Sequence, residues 1–171
     1  MKELLLLRHG KSDWSINASD FDRPLKKRGT RNAKQIGVWL SEQQLQPDLV
    51  ISSPANRALS TAEIAVSNMK LPTSSIQTDN RIYGADLDDL LLILSEIPST
   101  THRVMLVGHN PDLEELVEYF IPNIEIAPDG KLVPTTTLVY LQLDQQWDSI
   151  QDIHNVVSFK IQRPRDLPKL I

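Results

Sequence analysis

The chain has 171 residues, of which 40% are hydrophobic and 23% are charged, a composition typical of a globular domain with a full core. Its net charge of −4 argues against a general nucleic-acid-binding protein, whose contact surface would be basic. The absence of cysteine excludes disulfides, thiolate catalysis and cysteine-ligated zinc, and no apolar run has the length of a membrane span or a signal peptide. We therefore expect a single cytoplasmic domain over residues 1–171.

The first part of the chain predicts a buried strand, a helix and a second strand. Leu4 to Leu7 form a continuous apolar run that Gly10 ends. After a polar loop, Thr30 is predicted to cap a helix that Pro47-Asp48 ends. The apolar residues of this helix recur at helical spacing: Ala33, Ile36, Gly37 and Leu40. Leu49 to Ile51 then predict a short buried strand.

The middle of the chain continues the alternation of helix and strand. Ser53-Pro54 is a start signal for a second helix, with serine as the cap and proline at the first helical position. Residues 76–78 predict an edge strand, and Asp86 opens a third helix that Pro98 ends. Residues 103–107 predict a further apolar strand. The predicted inward faces of the two helices are Ala58, Thr61, Ala62 and Ala65, and Leu87, Leu90, Leu91 and Leu94.

Beyond the helix that Pro111 begins, the pattern changes. Residues 121–134 are rich in proline and turn residues, with a tight turn predicted at Asp129-Gly130. Residues 137–143 and 153–159 predict late strands. Because strands and helices alternate with short links over most of the chain, we expect an α/β fold whose mainly parallel sheet is covered on both faces.

Polar residues suited to catalysis follow three of the predicted strands. They are Arg8-His9-Gly10 after the first, Ser52-Ser53-Pro54 with Arg57 after the second, and Gly108-His109-Asn110-Pro111 after the strand at 103–107. The carboxyl ends of parallel strands meet at one edge of a sheet, which is where ligands bind in open α/β folds. Helix amino termini at that edge add free N–H groups and partial positive charge. The sequence therefore predicts a pocket that binds a dianion.

Each of these residues, taken alone, has an ordinary structural interpretation. A single histidine at a strand end is usually a surface or hydrogen-bonded residue, and Arg57 alone would be read as a solvated helix residue. Gly108 and Pro111 alone would be turn residues. Their joint occurrence, each after a strand, is what favours a common site.

In this order the residues resemble the histidine phosphatase superfamily, which is marked by an Arg-His-Gly signature at the end of its first strand. The segments that carry the resemblance after the signature are Ser52-Ser53-Pro54 with Arg57 and Thr61-Ala62, and Val107-Gly108-His109-Asn110. Within the superfamily, the short chain is most similar to the SixA-type phosphohistidine phosphatases. The details that carry this are Lys11-Ser12-Asp13-Trp14, Tyr83-Gly84-Ala85, Pro134-Thr135 and the tail Arg163-Pro164-Arg165-Asp166-Leu167-Pro168.

The resemblance implies a three-layer α/β/α fold of the phosphoglycerate mutase type, with no metal and no cofactor. It also implies that His9 takes the phosphoryl group while Arg8, Arg57 and His109 hold its oxygens. For this chemistry His9 must be neutral, and we expect the neighbouring arginines to keep its pKa from rising. The same arginines would stabilise the charge on the equatorial oxygens during in-line transfer. Ser12 is a further candidate donor to phosphate, or else a cap for the local turn.

The sequence has no assured general acid. Relatives that act on small phosphate esters use a carboxylate to protonate the leaving alkoxide. Asp86 is the nearest candidate, although a helix cap with Asp88 and Asp89 in the first turn is the simpler interpretation. Because imidazole leaves with far less need of a proton, a missing acid favours P–N or anhydride substrates. His102 and His154 are interpreted as structural or surface residues, since the histidines lack close metal-ligand spacing.

The leading hypothesis is a phosphatase that hydrolyses phosphohistidine on a protein, such as a histidine-phosphotransfer domain. The alternative is a small-molecule phosphomonoesterase of the same superfamily. A third hypothesis is a non-catalytic phosphate-binding module, against which the intact set of Arg8, His9, Arg57 and His109 argues. Neither a nucleic acid nor a membrane is expected as a partner.

Overall fold

The computed structural model describes residues 1–152 and 156–171, which form a layered α/β fold. The strands of the described chain are β1 (Lys2–Arg8), β2 (Leu49–Ser52), β3 (Ile76–Thr78), β4 (Arg103–Gly108), β5 (Leu138–Leu143) and β6 (Val156–Gln162). Its α-helices are α1 (Lys27–Glu42), α2 (Asn56–Asn68), α3 (Leu87–Ser95) and α4 (Asp112–Phe120). The start of the predicted last strand, including His154, lies outside the described residues. None of the helices in the described ranges is long and apolar enough to span a membrane.

The strands form one sheet in the order β3-β2-β4-β1-β5-β6. The neighbours β3, β2, β4 and β1 run parallel, whereas β5 pairs antiparallel with β1, and β6 antiparallel with β5. The predicted, mainly parallel sheet is therefore confirmed for the half that carries the polar strand ends. The reversal begins after α4, where residues 121–137 contain turns in place of a crossover helix.

Successive residues of β1 point into two separate cores, one on each face of the sheet. Leu5 and Leu7 belong to the core beneath α1 and α2, and Leu4 and Leu6 belong to the core beneath α3 and α4. All four leucines are completely buried. A strand covered on both faces shows a continuous apolar run, which is why four consecutive leucines are compatible with a strand here. The three-layer α/β/α architecture is confirmed.

Helices α1 and α2 pack at very close range at Gly37. A Cβ atom added to this glycine would lie 2.5 Å from the carbonyl oxygen of Ala65 and 2.9 Å from its Cα. Backbone atoms cannot move aside as the end of a side chain can. The missing side chain of Gly37 therefore sets the distance between the two helices.

Two helix starts differ from the sequence prediction. Thr30 is not the cap of α1, because its N–H already donates to Lys26 O inside the first turn. Helix α2 begins at Asn56, beyond the predicted start at Ser53-Pro54. The N–H of Ser53 bonds to Val107 O, so the chain is still leaving the sheet at that residue. Ser53 Oγ accepts an N–H from Ala55 and also lies beside a histidine, which places it at the edge of the sheet.

We expect Gly37→Ala to destabilise the protein despite the better helix propensity of alanine. The propensity gain is about 1 kcal/mol, whereas forcing extra volume into a packed contact costs about 1–3 kcal/mol. With two backbone atoms inside 3 Å of the new Cβ, we expect the clash to be the larger effect. Denaturant unfolding should show a lower midpoint. Lys34→Ala, at an exposed position of the same helix, is the control and should shift the midpoint little; equal midpoints for the two variants would contradict the close-packing argument.

Candidate active site

The three polar strand ends meet at one edge of the sheet. Strands β2, β4 and β1 are neighbours, with Arg8 opposite Gly108 and Ser52 opposite Val107. The backbone continues this register beyond the strands, since His9 N–H donates to Gly108 O at 3.0 Å. The side chains that follow the three strands are thereby held at one level.

Two histidines face each other at this edge. The ring centroids of His9 and His109 lie 5.2 Å apart, and both side chains are buried. His9 Nδ1 lies 2.8 Å from the carbonyl oxygen of Gly10. A carbonyl oxygen only accepts, so in the neutral ring Nδ1 carries the proton and Nε2 keeps its lone pair. The local backbone thus fixes the tautomer in which the free lone pair is on Nε2.

Burial lowers the pKa of both histidines. For His9 the pKa falls to about 4, mainly through loss of hydration. The hydrogen bond to the Gly10 carbonyl opposes this fall, and the charges of Arg8 and then Arg57 add to it with smaller effects. For His109 it falls to about 3, again mainly through burial, with His9 and Arg57 adding to the effect. The sequence analysis expected the arginines to keep the pKa of His9 low. They do lower it, but burial is the larger cause. Both rings are therefore neutral at neutral pH.

Arg8 is held by a network of hydrogen bonds that includes Val133, Asn110 and Glu114. Its Nη1 donates to Val133 O at 3.0 Å, and Asn110 Nδ2 donates to the same oxygen at 2.8 Å. Glu114 accepts from both Asn110 Nδ2 and the N–H of Val133, and its charge acts on Arg8. Arg8 Nε is buried and has no hydrogen-bond partner among the described residues. A buried, unpaired donor of this kind is suited to an anion.

Arg57 is paired with a carboxylate that the sequence analysis did not identify. Its Nη1 donates to Asp20 O at 2.6 Å and its Nη2 to Asp20 Oδ2 at 3.2 Å. Tyr83 donates its hydroxyl proton to the same Oδ2 at 2.7 Å, and its ring lies 5.8 Å from that of His109. Asp20 is exposed in a polar loop with no periodicity to mark it. Tyr83 had only its place in Tyr83-Gly84-Ala85 as a signal.

His109 is positioned by a serine at the end of β2. Its Nε2 lies 2.7 Å from Ser53 Oγ, and both side chains are buried. The other ring nitrogen, Nδ1, is buried without a hydrogen-bond partner in the part of the chain that the structure describes. When Ser53 donates its hydroxyl proton to Nε2, the proton of the neutral ring is on Nδ1, which is then a free donor.

Neither Ser12 nor Asp86 forms a hydrogen bond or ion pair with Arg8, His9, Arg57 or His109 within the described ranges. Ser12 is buried and forms a backbone bridge with Leu25. Asp86 is exposed and caps α3: its carboxylate accepts the N–H of Asp89, whose carboxylate accepts the N–H of Asp86. The helix-cap interpretation of Asp86 is confirmed. Its use as a general acid and the phosphate contact of Ser12 stay predictions.

A second carboxyl near this edge has an unusual environment. Asp112 begins α4, two residues after Asn110, and is 4% exposed. Burial raises its pKa to about 7, and its Oδ2 has no hydrogen-bond partner among residues 1–152 and 156–171. The charge that acts on it is that of Glu115 and not one of the site arginines. Among the described residues, no group of three or more His, Asp or Glu side chains could hold a metal ion.

The chain belongs to the histidine phosphatase superfamily (branch 1), whose family model matches residues 4–90. Members of this superfamily are phosphatases or mutases. An uncharacterised protein of Mycobacterium tuberculosis is 27% identical over 150 residues, which cover 85% of this chain and 92% of that protein.

Solved structures of SixA proteins share the fold. A protein of Agrobacterium tumefaciens assigned as a phosphohistidine phosphatase SixA is 31% identical with a TM-score of 0.71, covering 82% of this chain and 91% of that one. The protein histidine phosphatase SixA complexed with tungstate has a TM-score of 0.79 at 23% identity, covering 96% and 98%. These findings confirm the SixA resemblance found in the sequence.

We expect the rings of His9 and His109 to remain neutral when the pH is lowered to about 5.5, well below the usual histidine pKa of about 6.5. The unfolded chain binds more protons than the folded one between the lowered and the ordinary pKa values, so the free energy of unfolding should fall as the pH drops through that window. Nitrogen–proton NMR spectra of the imidazoles check this, with the signals assigned through His9→Asn and His109→Asn. A protonation midpoint near the ordinary histidine value of about 6.5 for either ring would contradict this expectation.

Proposed function

We propose that this protein is a phosphatase that hydrolyses phosphohistidine on a protein, through a covalent phosphohistidine intermediate at His9. The observation that carries the proposal is the state of His9. It is buried, neutral, and fixed by the Gly10 carbonyl in the tautomer with a free Nε2, between the charges of Arg8 and Arg57.

The first step is attack by His9 Nε2 on phosphorus. The new N–P bond forms as the bond from phosphorus to the substrate imidazole breaks. The substrate ring, which carries a proton on its other nitrogen, leaves as neutral imidazole, and negative charge is shared among the three equatorial oxygens. We assign Arg8, whose Nε has no partner among the described residues, and Arg57 as the cations that stabilise these oxygens. We assign His109 Nδ1–H as a further donor, because Ser53 occupies the other nitrogen of that ring.

The second step returns His9 to its starting state. Water attacks phosphorus, the oxygen–phosphorus bond forms, and the His9 N–P bond breaks. Both protons of the water leave with the product as dihydrogen phosphate, and His9 leaves as a neutral imidazole that keeps its Nδ1 proton hydrogen-bonded to the Gly10 carbonyl. The low pKa of His9 suits this step, since a weakly basic nitrogen departs from phosphorus more readily.

The carboxylate paired with Arg57 supports a P–N substrate over an alkyl phosphate ester. Tyr83 and Arg57 hold the pKa of Asp20 below its usual value, so this group is ionised at neutral pH and has no proton to give. An alkoxide leaving group needs such a proton, whereas imidazole needs it far less. The names of the SixA relatives, one of them a protein histidine phosphatase, agree with this substrate class.

The variant His9→Gln should lose turnover of a phosphohistidine peptide and should no longer form an acid-labile phosphoenzyme, because the attacking nitrogen is removed. Rates and trapping with radiolabelled phosphate measure the two effects. His102→Gln is the matched control, since His102 is exposed and precedes β4, at the opposite end of that strand from His109. It should retain both properties.

Circular dichroism and thermal unfolding should show that both variants are folded. More than trace turnover by a folded His9→Gln variant would overturn His9 as the nucleophile. Loss of phosphoenzyme in both variants would show that the assay reports general damage and not the chemistry of His9.

Phosphohistidine and aryl phosphates should be hydrolysed much faster than sugar phosphates, because their leaving groups depart without a proton donor. Asp86→Asn should keep most of the phosphohistidine activity, as expected for a residue that caps α3. Comparison of kcat/KM across the three substrate types checks this. If sugar phosphates are the best substrates and Asp86→Asn removes that activity, Asp86 is the acid and the protein is a small-molecule phosphomonoesterase.

A further inference from the structure

A strongly basic groove lies between α1 and the C-terminal segment. It encloses about 480 Å³, and four of its lining residues, Arg28, Arg31, Asn32 and Gln35, form one face of α1. The cationic side chains that line it are Arg28, Arg31, Lys131, Arg163, Arg165 and Lys169, and together they define what we call the basic groove. In a chain with a net charge of −4, this concentration of cations is not a consequence of overall composition.

The charges of the basic groove are largely unpaired. Asp129, the carboxylate in its lining, is already bound by Arg163 at 2.7 Å and lies 3.5 Å from Arg165. Arg31 and Lys169 are exposed and form no ion pair with the residues that the structure describes. Like charges gathered on one surface repel one another, so an anionic partner would relieve a cost that the free protein carries.

The basic groove borders the proposed active site through its backbone. Thr137, which lines the groove, accepts the N–H of Arg8 through its carbonyl oxygen. The preceding residue, Thr136, donates its N–H to His9 O at 3.0 Å. On the opposite wall, Arg28 precedes Gly29, whose Cα packs so closely on Lys11 that a Cβ would lie 2.5 Å from the Lys11 carbonyl oxygen. A chain lying in the groove therefore passes next to the Arg8-His9 segment.

We propose that the basic groove receives an acidic segment of the protein that carries the phosphohistidine, an inference that rests on the proposed function. The cations come from three separate parts of the chain, namely α1, the turn around Asp129 and the C-terminal segment. They are therefore suited to several carboxylates spaced along a peptide and not to a single phosphate group. The apolar residues Leu167 and Leu170 also line the groove and can contact side chains between the carboxylates.

Exposed cations of this kind act mainly on encounter with the partner and on its orientation. The basic groove should therefore raise kcat/KM for an acidic phosphoprotein and leave the bond-breaking steps unchanged. Its contribution should weaken as salt is added, because charges at the surface are screened.

The test compares two phosphohistidine peptides, one flanked by glutamates and one with glutamines in their place, together with an aryl phosphate. The double variant Arg31→Glu/Lys169→Glu reverses two charges of the basic groove, and Lys34→Glu reverses a charge on α1 outside it. In the double variant, kcat/KM for the acidic peptide should fall by about tenfold or more, within the range known for electrostatic steering. Lys34→Glu should have little effect, and all variants should hydrolyse the aryl phosphate equally.

Binding of the fluorescently labelled, unphosphorylated acidic peptide, followed by anisotropy, tests the basic groove independently of turnover. Weaker binding by the double variant than by Lys34→Glu supports the inference even if neither phosphopeptide is hydrolysed, an outcome that would defeat only the proposed function. Equal binding by wild type and double variant would overturn the inference. If inorganic tripolyphosphate displaces the peptide at concentrations much lower than those at which the peptide itself binds, the inference is also overturned, because the groove then binds a small polyanion.

Discussion

The level alignment of β2, β4 and β1 is the constraint on which the site depends. Each of the three strands ends at a different place in the sequence, but backbone hydrogen bonds such as that from Ser53 N–H to Val107 O carry the pairing one residue past the strands. Arg8, His9 and the histidine after β4 are therefore placed by the sheet itself, and not by loops that move independently. A shift of one residue in the β1–β4 pairing would move His9 away from His109 and turn the β1 leucines to the wrong cores.

Burial and charge act together at this edge. Burial is the main reason that both rings have a low pKa, and the charges of the nearby arginines lower it further. The cations themselves stay close because each has its own anchor: Arg8 is fixed by the Val133 carbonyl and Arg57 by Asp20. The result is a positive site around neutral rings, an arrangement that combines attraction for an anion with a free lone pair for attack.

The sequence predicted those parts of the structure that depend on local signals. The buried strands and the polar residues at their ends were found because a continuous apolar run that stops at a glycine or serine has few other interpretations. The starts of α1 and α2 were misplaced, because capping residues express only local preferences. Ser53 is instead hydrogen-bonded to Val107 at the sheet edge and contacts His109 through its hydroxyl group. Asp20 and Tyr83 were missed because their contact joins residues far apart in sequence, and nothing in the composition of either loop indicates it.

In the ion pair between Arg57 and Asp20, the Asp20 carboxylate competes with any external anion for the Arg57 guanidinium. In the proposed function, a phosphoryl group that binds Nη1 and Nη2 of Arg57 would replace an aspartate that is already in contact with both atoms. The net affinity would then be the difference between two similar interactions. This difference would lower the affinity for inorganic phosphate as much as for substrate. Asp20 could return to the guanidinium as phosphate leaves, and this return would favour release of the product.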